Sequence, residues 1–70
     1  MKARRLTNPQ LWWLRKAVAE GYVHVHGSPN TRVARTLAGL ELAVFNEDDC
    51  VLRPTGKGRE IAERGGRLEP

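Results

Sequence analysis

The 70-residue chain has one cysteine, Cys50, so no intrachain disulfide can hold it together. Metal-site signatures are missing too. His24 and His26 stand two apart and Cys50 is distant, with no CxxC or HExxH spacing to close a ligand set. The Thr55-Gly56-Lys57-Gly58 stretch lacks the GxxxxGK[ST] spacing of a phosphate-binding loop. Long apolar runs are absent: the patch from Leu11 to Leu14 is broken and falls short of the roughly 18 residues of a membrane span. Acids, bases and thiols are present, but no spacing poises a nucleophile beside a base, and so small a core leaves little room for an enclosed pocket. These absences predict a cytoplasmic protein that is not an enzyme and carries no cofactor or metal.

Acidic residues are scarce in one half only. Residues 1–40 hold seven Lys or Arg against the single Glu20, a net +6, while residues 41–70 hold five against seven acids, a net −2. The asymmetry would attract a polyanion or an anionic surface and would orient the molecule in its field. A domain of this length buries only about 60% of its unfolded surface, so its core is one layer thick and a partner or second copy matters to stability. The composition, 40% hydrophobic with seven glycines and four prolines, suits one small folded domain.

Along the chain, residues 1–8 form a basic arm in which Lys2, Arg4 and Arg5 are available to phosphates. Thr7 or Asn8 caps a first helix, Pro9 suits its opening turn, and Gly21 ends it. Leu11, Leu14 and Val18 share its inner face, with Trp13 and Ala17 at the edge. Trp12 falls on the far side. Its indole either folds back under Leu6 and the arm or forms an interface, such as a homodimer built through this helix. Arg15 and Lys16 add two outward cations. Tyr22, His24 and His26 then alternate with Val23 and Val25, as in a strand with one wet face that can meet phosphate.

Residues 31–64 form the organising stretch. Asn30 is expected to cap a second helix whose first turn leaves N–H groups free for an anion. Val33, Leu37 and Leu40, at i, i+4 and i+7, face its core with Ala34 beside them, leaving Arg32, Arg35 and Thr36 outward. Leu42 and Val44 alternate with Ala43 and Phe45, which places Phe45 at the core margin. Asn46, Glu47, Asp48 and Asp49 read as a hairpin tip, and the return strand carries Cys50 as a small buried hydrophobe, leaving open whether Val51 or Leu52 is innermost. Thr55 caps a third helix with Ile61 and Ala62 as packing residues. Gly58 in its first turn marks a close contact, and Gly65-Gly66 stops it. Residues 65–70 read as a polar tail.

The expected architecture is α+β, in the order helix, strand, helix, β-hairpin, helix. With Thr36-Leu37-Ala38-Gly39-Leu40 leading into the hairpin and Thr55-x-x-Gly58-Arg59-x-x-Ala62 opening the last helix, residues 9–64 resemble the winged helix-turn-helix superfamily, especially its very small phage and actinobacterial forms. The resemblance implies a reduced winged helix and a regulatory or architectural DNA-binding protein. Thr31, Arg32, Arg35 and Thr36 occupy the positions that would contact bases or backbone of double-stranded DNA, with Lys2, Arg4, Arg5, Arg15 and Lys16 on phosphates. The acidic tip would be repelled by phosphate. Trp12, Phe45, Glu47, Asp48 and Asp49 therefore define an alternative, a phage-type module docking on a host transcription or replication protein.

Overall fold

The computed structural model describes residues 5–68, so the expectations for Lys2 and Arg4 lie outside the described residues. Three helices and a three-stranded antiparallel sheet follow in the order α1 (Asn8–Glu20), β1 (Val23–His24), α2 (Asn30–Gly39), β2 (Ala43–Asn46), β3 (Val51–Pro54) and α3 (Gly56–Glu63). The strands lie in the order β1-β3-β2. Leu14, Leu37, Leu42, Leu52 and Val25 are the largest fully buried side chains, drawn from α1, α2, the α2–β2 turn, β3 and the residue after β1. With Ala43 of β2, Ile61 and Ala62 of α3, and Val23 of β1 packed against them, each element contributes to one thin core.

Thr7 is the cap of α1. Its hydroxyl accepts from the Gln10 N–H at 3.4 Å while its own N–H donates to Gln10 Oε1 at 3.0 Å, a reciprocal capping box. Gly21 ends the helix at φ 86°, a left-handed turn glycine adopts without a Cβ penalty. Leu14 and Ala17 are buried, with Leu11, Trp13 and Val18 packed partly against them, as the spacing predicts.

The start and end of α2 both depart from expectation. Asn30 does not cap it. Pro29 holds the cap position without a side-chain bond, and the Asn30 amide donates back to the His26 carbonyl at 3.2 Å. Thr31 N–H donates to Gly27 O at 2.9 Å and Val33 N–H to Pro29 O at 3.2 Å, so those donors of the first turn are already engaged.

At the other end, Leu40 is 37% exposed and not a core residue. The helix closes in a Schellman turn: Glu41 N–H donates to Ala38 O at 3.0 Å and Leu42 N–H to Leu37 O at 3.0 Å, with Glu41 at φ 65°. That turn lifts Leu40 outward and returns Leu42 to the core against Leu37. A spacing rule that carried the helix to Leu40 could not anticipate it. The same construction ends α3, where Gly65 takes the left-handed position and Gly66 N–H donates to Ile61 O at 2.9 Å.

In the hairpin, Ala43 pairs with Pro54, Val44 with Arg53, Phe45 with Leu52 and Asn46 with Val51. Phe45 packs partly against the core, and Val44, 61% exposed, faces away. Val51 and Leu52 are both buried, on opposite faces of the sheet. Asn46 belongs to β2, so the tip is residues 47–50. Cys50 sits in it half-buried at φ 56°, neither in the strand nor enclosed in the core. Its left-handed backbone ends the turn before β3 begins.

Thr55 caps α3, accepting from Gly58 N–H at 3.0 Å, and its hydroxyl donates to the Glu41 carbonyl at 2.8 Å. The cap therefore also ties α3 to the α2–β2 turn. Gly58 lies against the Leu42 backbone and Leu14 Cδ1, a contact with that turn as well as with a neighbouring helix. Residues 65–68 do not trail away as a polar tail. Gly66 is buried, its carbonyl accepts from Leu6 N–H at 2.8 Å, Arg5 and Arg67 form an isolated bridge, and Leu68 packs on the core.

Candidate nucleic-acid interface

The predicted contact residues on α2 share its outward side because Ala34 and Leu37 are drawn into the core. Arg32, Arg35 and Thr36 are exposed and Thr31 is half-buried. Thr36 donates its hydroxyl hydrogen to Arg32 O at 3.0 Å, which leaves its oxygen lone pairs available as acceptors. Among the described residues Arg32 has no carboxylate partner. Arg35 has one: Nη2 lies 2.6 Å from Glu47 Oε1.

That pair joins α2 to the hairpin tip. Both side chains are well exposed, so its contribution to stability is at most about 1 kcal/mol. Its effect on the surface is larger than its effect on stability. One acid of the tip is turned toward the helix and offsets the Arg35 charge, while only one guanidinium nitrogen is used and the other N–H groups stay free. Asp48 and Asp49 remain exposed, in a tip braced by Asp48 N–H to Asn46 Oδ1 at 3.0 Å and Asn46 Nδ2 to Asp49 Oδ2 at 3.3 Å.

A second group gathers on α1. Trp12 is 54% exposed and does not fold under Leu6, which is itself in the core. The Trp12 ring meets Trp13 edge-on at 4.8 Å between centroids, and Lys16 Nζ lies 5.7 Å from the Trp12 centroid and 3.5 Å from Glu20. Asn8, Leu11, Trp12, Arg15, Lys16 and Ala19 line a shallow groove. Among the described residues no hydrogen bond or ion pair joins this group to the α2 group. Arg5 is exposed in the bridge to Arg67, and Phe45, expected at an interface, is half-buried with part of its ring against the core.

Sequence reasoning missed the Arg35–Glu47 pair, which no local spacing rule connects across twelve residues, and the exposure of Val44. The shared face of Tyr22, His24 and His26 was expected; that their rings follow one another along β1 and its flanks, with Tyr22 and His24 at 5.7 Å and His24 and His26 at 6.1 Å between centroids, was not. The clean alternation from Tyr22 to His26 was the available signal. Among the described residues no three His, Cys, Asp or Glu side chains gather to hold a metal, and no helix is long and apolar enough to cross a membrane. The chain matches no family model, no curated protein and no solved structure.

Proposed function

We propose that this chain is a small cytoplasmic DNA-binding protein of regulatory or architectural type, a reduced winged helix of the phage kind that engages duplex DNA through the outward side of α2. The observation that carries the reading is the exposed Arg32–Arg35–Thr36 surface on a helix running directly into an antiparallel hairpin, in the half of the chain with net charge +6. A single helix of ten residues fits the width of a major groove, and arginine is the commonest reader of guanine edges. The Arg35–Glu47 pair supports helix and hairpin acting as one unit and keeps one acid of the tip off the phosphates. Arg15, Lys16 and Arg5 supply sequence-independent contacts where the bound duplex passes them. Two copies on paired half-sites, a homodimer, would extend so short a reading surface.

Titrating labelled duplex DNA at low and physiological salt tests the proposal, with Arg32→Ala and Arg35→Ala beside the parent chain. The expected result is salt-sensitive binding in which each arginine variant loses about 1–3 kcal/mol of sequence discrimination. Equal, small effects at both positions would remove α2 from the interface.

A second reading has its own observation. The exposed Trp12 above a groove flanked by Arg15 and Lys16 favours a protein-interaction module that docks on a host transcription or replication protein. Trp12→Gln separates the two: a folded variant with intact DNA binding and a lost partner or altered subunit count assigns α1 to protein contact.

A further inference from the structure

An antiparallel sheet with one face on the core usually turns a polar face to water. Here the outward face carries a row of rings and one cation, Arg53, beside Val44, Val51 and Asn46. Tyr22, His24 and His26 follow one another along β1 and its flanks, all exposed, with Tyr22 at 47%. The register places Val51 and Asn46 beside His24, and Arg53 beside Val44 in the neighbouring row. Val51 is buried yet stands outside the core cluster, so its cover comes from neighbours on this outer face. None of the three strands contains an Asp or Glu.

The spacing of the rings is the informative feature. His24 and His26 are parallel to within 2° with centroids 6.1 Å apart, and Tyr22 stands at 85° to His24. Alternate residues of a strand repeat at about 6.6 Å, close to twice the roughly 3.4 Å rise of stacked bases. His24 and His26 thus present parallel ring planes at the interval of alternate strand residues, each a surface on which a base can stack. Bases in a duplex have their faces covered by neighbours, so such a row can engage only bases that are unpaired.

We infer that the outer sheet face is a stacking platform for a single-stranded nucleic acid. Tyr22, His24 and His26 take successive bases and Arg53 takes a backbone phosphate. The absence of carboxylates from the strands and the net +4 charge of the chain admit the polyanionic backbone, whereas the duplex contact on α2 uses different residues. This inference therefore stands without that reading.

Labelled oligo(dT) and oligo(U) of about 12 nucleotides, within the ~4–16 range of a small single-strand-binding module, are titrated against the parent chain and four variants. Both strands are expected to bind, and a difference between them reports a preference at the 2′-hydroxyl. Tyr22→Ala and His24→Ala should each weaken binding roughly 5- to 100-fold. Tyr22→Phe, which keeps the ring, should bind like the parent, as should Arg59→Ala, which removes an exposed cation of α3 that neither interface uses. Circular dichroism spectra should show Tyr22→Ala and His24→Ala still folded, with His24→Ala melting somewhat lower because it uncovers part of Val51.

No binding of either strand overturns the inference, as do alanine variants that bind like the parent. A loss at Arg59→Ala equal to that at Tyr22→Ala also overturns it, since binding would then follow overall charge and not the ring row. A Tyr22→Ala effect confined to subunit number in light scattering would assign the row to contact between copies and likewise overturn it.

Discussion

A methyl group at position 58 would overlap the Leu42 carbonyl oxygen and approach Leu14 Cδ1 to 3.2 Å. The obstacle is backbone and cannot swing aside. Alanine would gain about 1 kcal/mol of helix propensity, yet overpacking against fixed atoms costs about 1–3 kcal/mol and often more. Gly58→Ala is therefore expected to lower stability in chemical denaturation, with clash outweighing propensity. Glu47→Gln makes the opposite kind of change. It should alter stability by less than about 1 kcal/mol, and, on the α2 reading, tighten binding to random duplex because the carboxylate facing Arg35 is neutralised. Parallel melts and anisotropy titrations measure both quantities, and weaker duplex binding by the Gln variant would show that Glu47 helps hold Arg35 in place.

At the scale of elements, what was legible in the residues was whatever neighbours decide among themselves. Thr7 with Gln10, Pro9, Gly21, Thr55 and the alternation around His24 each act within a few positions, and each sits where those rules place it. Leu40, Asn30 and Cys50 were misplaced because their surroundings depend on backbone that composition does not announce. Glu41 and Cys50 adopt positive φ without being glycine, and Asn30 donates to His26 when it was expected to cap. On the candidate site, the outward arginines were legible from helix period, but the acid that meets one of them was not. Glu41 offers a direct check. Its left-handed backbone disfavours a side chain, while its carbonyl bond to Thr55 would persist in any residue. Glu41→Gly should stabilise the chain by about 0.5–1 kcal/mol, seen as a melting point raised by a few degrees. An unchanged or lower melting point would mean that the lost side chain or the added freedom of the unfolded chain dominates.

For the molecule as a whole, charge sets a quantitative expectation. If Arg32, Arg15 and Lys16 each neutralise one phosphate, log affinity for duplex should fall with log salt at a slope of about −3. A slope near zero would leave the basic half without a polyanion. Shape adds a separate consequence through the clasp where Leu6 N–H meets the Gly66 carbonyl and Arg5 bridges Arg67. The described chain leaves and re-enters the fold at one spot, so its path is nearly a closed ring and the location of its ends is interchangeable. Joining Leu68 to Arg5 through a short flexible linker and opening the exposed turn at residues 47–50 should give a circular permutant with the same circular dichroism spectrum. In that permutant α2 and α3 stay covalently continuous with the core, while the hairpin keeps its pairing only through packing and hydrogen bonds.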